Sequence, residues 1–186
     1  AATSAGRFGV GFAAVMSVSD EPAVISRSGA VRWSRQHAYD LAAGRPALAD
    51  ELDRRGDAVP VLRLPLAGHG VVDDPYDTVV RLPLRDRTAV DSVRRQLDEV
   101  DDAILLTLPS LAEVVIDVEG ETRVLRAVTE DDDLVVTETS DYGERVTRWR
   151  RIQRTGRLDD GLLTDRPVEE RDRPWWSVLA AVPVDA

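Results

Sequence analysis

The 186-residue chain has no cysteine, no lysine and no asparagine. Without cysteine it can form no disulfide, no thiolate nucleophile and no zinc–thiolate site. Without lysine it has neither a Walker P-loop nor an amine for Schiff-base chemistry. All 24 basic residues are therefore arginine. Histidine is nearly absent as well. His37 and His69 stand alone in the sequence, so no catalytic triad or metal trio can be assembled from neighbouring signals, and both are expected to face solvent. No apolar run approaches the roughly 20 residues of a membrane helix. The first residues lack the basic start and apolar core of a secretory leader. A cytoplasmic setting and no membrane partner are the expectation.

Charge of one sign dominates what is present. Aspartate and glutamate number 34, and the formal net charge is −10. An acidic surface repels a phosphate backbone, which argues against general nucleic-acid binding. Hydrophobic residues make up 43% of the chain and its mean hydropathy is −0.23. That composition suits a globular chain with a buried core, of the size of one ordinary domain or one and a half small ones. Acidic pairs are too common here to single out a glycosidase-like dyad.

One stretch stands apart. Gly6-Arg7-Phe8-Gly9-Val10-Gly11-Phe12 places three glycines in a GxxGxG spacing, and the apolar Ala13-Ala14-Val15-Met16 follows at once. Glycine opens backbone conformations closed to other residues and lets a ligand approach the main chain. Where such a turn opens a helix, free N–H groups and the helix dipole favour an anion, typically phosphate. A tight glycine turn feeding a buried helix is the alternative reading of the same spacing.

The full string is more specific than its spacing. It resembles the second glycine box of the GHKL ATPases, in the version carried by the heat shock protein 90 and sacsin-like branch. In that family the box closes the ATP lid and wraps the phosphates with backbone amides. The resemblance assigns Gly6, Arg7, Phe8, Gly9, Val10, Gly11 and Phe12 to the phosphates. A second match is Thr78 in Asp77-Thr78-Val79-Val80-Arg81-Leu82, which resembles the family's Gly-Thr-x-x-x-Leu strand, where the Thr hydroxyl supports the adenine. Asp77 departs from the pattern, because the family carries Gly there. The family's catalytic Glu, its Mg²⁺-holding Asn and its Asp-x-Gly-x-Gly strand all precede the second glycine box. This chain has no Asn and no Asp-x-Gly-x-Gly string.

Taken in order, the pattern predicts a short helix to about Ser19. Strands Ala23–Ser28 and Ala30–Arg35 follow around Ser28-Gly29. Residues 36–58 look less regular, apart from a short helix opened by Pro46 and closed by Gly56. Val61–Leu66 and Thr78–Leu84 read as strands. Thr88-x-x-Asp91 can cap a helix from Ala89 to about Thr107, with Val90, Val93, Leu97, Val100, Ile104 and Leu108 as its apolar stripe. A β meander begins near Leu111. Its strands are Glu113–Val118, Glu121–Thr129, Leu134–Ser140 and Glu144–Arg154, with a solvated turn at Asp131–Asp133. Arg145, Arg148, Arg150, Arg151 and Arg154 make the last of these basic, and they are expected to face the acidic residues of neighbouring strands. Gly156–Arg173 reads as a loop. The segment from Pro174 to Val184 reads as a closing strand with Trp175 and Trp176 in the core.

These readings combine into an α/β (α+β) two-layer sandwich of GHKL or Bergerat type, present as its C-terminal half over residues 1–118. A β-rich meander over 119–186 would lead into a further region. The chain lacks an initial Met and opens just before the string, so a fragment is expected. The resemblance implies ATP with Mg²⁺ as cofactors, the metal being held by residues upstream, and a chaperone-like parent with client proteins. No residue of this chain is assigned a catalytic role. A non-catalytic interaction module, using the meander and the Trp pair, is the alternative.

Overall fold

The computed structural model describes residues 10–56, 58–164 and 174–184. The chain divides into two compact units between Asp98 and Glu99. Each is built around its own antiparallel sheet, so the content is mixed α/β.

In the first unit, α1 (Val10–Ala13) runs into a 3₁₀ turn at Ala14–Ser17. Strands β1 (Ala23–Ser26) and β2 (Gly29–Arg32) form a hairpin with Ser26 opposite Gly29. Gly29 takes φ +149°, a value that disfavours any residue with a Cβ. Next comes α2 (Arg35–Ala43), capped by Ser34, whose hydroxyl accepts the His37 N–H. The sequence pattern did not reveal this helix, because it buries only Ala38 and so carries almost no apolar stripe. Helix α3 (Pro46–Arg54) starts at its proline, as expected, and Gly56 beyond its end has φ +56°.

The predicted strand Val61–Leu66 is not one. Val61–Arg63 curls into a 3₁₀ turn, and β3 is only Leu66–Ala67, paired with β2. Pro60 and Pro65 flank this segment and cannot donate to a ladder. Strand β4 (Thr78–Arg81) pairs antiparallel with β1, giving the order β3-β2-β1-β4. Helix α4 (Arg87–Asp98) follows. Asp86, rather than Thr88, supplies its cap, since its Oδ1 accepts the Ala89 N–H at 2.8 Å. Among the described residues of this unit, Pro22, Ala38, Leu52, Val61 and Ala89 are buried.

The second unit opens where one long helix was expected. The chain leaves α4 after Asp98 and starts again as α5 (Ala103–Thr107). Asp101 Oδ1 accepts the Ala103 N–H at 2.9 Å, a local bond that competes with continuous helix. The five-stranded meander then runs in sequence order. Its strands are β5 (Glu113–Val118), β6 (Glu121–Glu130), β7 (Asp133–Ser140), β8 (Gly143–Arg157) and β9 (Trp175–Pro183). A short helix, α6 (Asp160–Thr164), follows β8. Alternation puts Ile116, Leu125, Leu134 and Val136 on the buried face with Leu105 and Leu106 of α5. The opposite face exposes Val115, Val128, Val146, Ile152, Val178 and Val182. Among the described residues no helix is long and apolar enough to cross a membrane.

Candidate functional site

Of the glycine string, Gly6, Arg7, Phe8 and Gly9 lie outside the described residues. Val10 begins α1. A Cβ added at Gly11 would meet nothing within 4 Å, so open space lies beside that backbone. Phe12 turns inward, its ring 5.2 Å from that of Trp33 and tilted 55°. Trp33 is fixed in turn by donating its indole N–H to the Leu62 carbonyl at 3.2 Å.

Thr78 is the first residue of β4, exposed and directly opposite Ser26. Arg81, at the other end of β4, lies opposite Ala23, the residue at which the chain enters the sheet from the glycine segment. Thr78 is therefore about 10 Å along the strand from that entry point, at roughly 3.3 Å per residue.

Two arginines that the sequence reading had not singled out position these parts. Arg27, in the β1–β2 turn, contacts the loop that delivers Thr78. It ion-pairs with Asp74 at 3.2 Å and Asp77 at 3.0 Å, and it donates to the Tyr76 carbonyl at 3.3 Å. Arg85 ties down the end of the glycine segment. Its guanidinium donates to the Met16 carbonyl at 2.8 Å, to the Ser17 carbonyl at 3.3 Å and to both Asp20 oxygens. Asp20 also accepts from Arg35. The Arg85 hydrogen bond, helped by Arg35 and opposed by partial burial, holds the Asp20 carboxyl below its ordinary value. The only sequence signal for these ties was opposite charge, at separations too long for a local rule.

Two hollows open on this unit. One, of about 260 Å³, lies between the 3₁₀ turn and residues 59–63, with Ala13, Met16, Val61 and Leu62 in its wall. The other, of about 380 Å³, is lined by Asp20, Glu21, Arg35, Gln36 and Tyr39. Neither includes Gly11 or Thr78. Among the described residues no three His, Asp or Glu side chains converge to hold a metal.

In the second unit three of the five arginines expected to face acids do so, whereas Arg151 and Arg154 lie opposite Ala181 and Val178 of the uncharged β9. Arg145 pairs with Glu138 and Asp102, Arg148 with Glu130, and Arg150 with Asp133. Asp133 differs from expectation, being 7% exposed rather than part of a solvated turn. Its register opposite Arg150 draws it into the sheet, and the Arg150 hydrogen bond depresses its carboxyl. His37 and His69 are exposed. Trp175 and Trp176 are 61% and 40% exposed, not core. Comparison with protein-family models, curated proteins and solved structures gives no match.

Proposed function

We propose that this chain is the phosphate-lid half of an ATP-binding domain of GHKL type, in a chaperone-like parent of the heat shock protein 90 and sacsin-like kind. The two-layer Bergerat sandwich is part of this proposal. The observation that carries it is the order of parts in one unit. The glycine string leads into a short helix, then an antiparallel hairpin, then a strand headed by an exposed threonine, then an amphipathic helix.

In this reading the backbone N–H groups of Gly6, Arg7, Phe8, Gly9, Val10 and Gly11 hold the phosphates, and Thr78 supports the adenine end. Phe12 acts from behind, since its ring is spent on Trp33. Arg85 and Asp20 fix the exit of the lid segment, and Arg27 fixes the loop before Thr78. Open space at Gly11 fits close approach of a ligand to the main chain. The residues present do not fit Mg²⁺, because the chain has no Asn and its described acids do not converge. No step is therefore routed through the metal. Without a metal site and a base, electrostatic cradling alone cannot orient an attacking water, so this chain by itself binds weakly and does not hydrolyse.

The test is calorimetric titration of ATP and ADP into this chain and into a version extended upstream. Binding is expected in the extended protein and should vanish with Gly9→Asp plus Gly11→Asp. The open space beside Gly11 leaves the fold able to accept its new carboxylate. An extended protein that folds yet ignores both nucleotides overturns the reading and leaves the interaction module in its place.

A further inference from the structure

Strand β9 is one edge of the five-stranded sheet, and among the described residues no strand lies against its outer side. Its ladder with β8 shows which backbone groups that side presents. The Val184 N–H donates to the Arg148 carbonyl at 2.8 Å, and the Leu158 N–H donates to the Pro174 carbonyl at 2.5 Å. Both pairs fall on the even positions of the register. Opposed residues in an antiparallel ladder alternate between bonded and non-bonded pairs. Trp176, Val178, Ala180 and Val182 therefore bond inward to β8, while Trp175, Ser177, Leu179 and Ala181 aim their N–H and C=O groups outward. Pro183 falls in the outward set, where its missing N–H costs the β8 ladder nothing.

Natural edges are usually blunted by charge, by a central proline or by brevity. Strand β9 has none of these: it is nine residues long, Trp175 to Pro183, without a charged side chain. Strand β5, the opposite edge, carries Glu113 and Asp117. The exposed side of β9 is also apolar, with Val178 60% and Val182 53% exposed beside Trp176.

We propose that β9 pairs antiparallel with β9 of a second copy of this chain, across a twofold axis at Val178, joining two five-stranded sheets into one. The sequence is suited to its own copy. In this register Trp175 exchanges ladder bonds with Ala181, and Ser177 with Leu179. Val178 meets Val178 of the other copy and Trp176 meets Ala180, extending the apolar face across the axis. A twofold pair opposes each position with its own sequence, so an uncharged strand brings no like charges together, whereas β5 would have to accommodate its acids. This inference does not depend on the nucleotide reading.

The test is sedimentation equilibrium on the full chain, with far-UV circular dichroism as the fold control. The chain is expected at twice its mass of 20.5 kDa. Ser177→Pro removes an outward N–H and leaves the inward ladder bonds in place. Val178→Lys sets two cations face to face at the axis. Each should return the mass to that of one chain with an unchanged spectrum. Because the chain has no other cysteine, Val178→Cys should give a covalent dimer on oxidation, from a non-bonded pair with Cα atoms about 4.5 Å apart, within the range a disulfide spans. A monomeric wild-type chain overturns the proposal. So does a dimer that survives both disrupting substitutions, or open-ended aggregation in place of a dimer.

Discussion

Asp102 is 4% exposed, and both of its oxygens are taken by donors from β8. Arg145 Nη2 donates to Oδ1 at 2.7 Å, and the Trp149 indole N–H donates to Oδ2 at 2.8 Å. Removing the carboxylate leaves a guanidinium and an indole N–H short of a partner. Asp102→Ala is expected to cost about 1.5–3 kcal/mol in urea denaturation, the range for hydrogen bonds to charged groups. Glu138 makes a pH prediction. The Arg145 hydrogen bond, with Arg123 adding to it and burial opposing, lowers its carboxyl from the ordinary 4.5. A group depressed in the folded state stabilises above its unfolded value, and that stability is lost as pH falls through the folded value. Denaturation midpoints should therefore fall on acidification below about pH 4.5, and Glu138→Gln should flatten that fall. A Gln variant with an unchanged acid slope would remove Glu138 from the account. Charge pairing across β7 and β8 was legible, because opposite signs alternate on facing strands. The burial of Asp133 was not, since it depends on register rather than on residue type.

At the scale of elements, the meander was the clearest part. Strict alternation bounded by Glu119-Gly120 and Asp141-Tyr142-Gly143 located β5 to β8 to within a few residues. Weak or conflicting stripes were misread, as in α2, the Val61 turn and the break before α5. Gly156 shows how β8 and β9 fit each other. A Cβ placed there would lie 2.5 Å from the Trp176 ring, so that ring lies directly over the glycine. Gly156→Val should push the ring aside and destabilise by about 1–3 kcal/mol, the usual range for overpacking. Most of that loss should disappear in a Trp176→Ala background, where the clash is gone. Near-UV circular dichroism of the wild type, the two single variants and the double variant reads the ring directly. A full loss that persists without Trp176 would place the strain in the backbone instead.

Across the whole molecule, charge is divided unevenly. Residues 6–98 hold 13 acidic and 13 basic side chains, whereas 99–186 hold 21 acidic and 11 basic. The entire excess of −10 therefore sits with the meander, and the glycine string and Thr78 belong to a neutral unit. The string nominates residues 6–12 for the proposed phosphate site, but the clamp on Asp20 could not be read from the sequence, because Arg85 lies 65 positions away and only the fold brings it near. The meander has the features of an independent folding unit. Its ladder is built from successive hairpins, so its contacts are mostly local. Leu105, Leu106, Ile116, Leu125, Leu134 and Val136 supply its apolar core, and burying a single leucine is worth about 1.5–3 kcal/mol. The ties of Asp102, Arg123 and Arg145 also lie within it. Residues 99–186 expressed alone should therefore give a dispersed amide spectrum and one cooperative urea transition, despite their self-repelling charge. The transition should strengthen as salt screens that charge over the roughly 10 Å Debye length at 0.1 M. A collapsed, undispersed spectrum at every salt concentration would mean that the meander depends on residues 6–98 to fold, and the division at Asp98 would not be a division in stability.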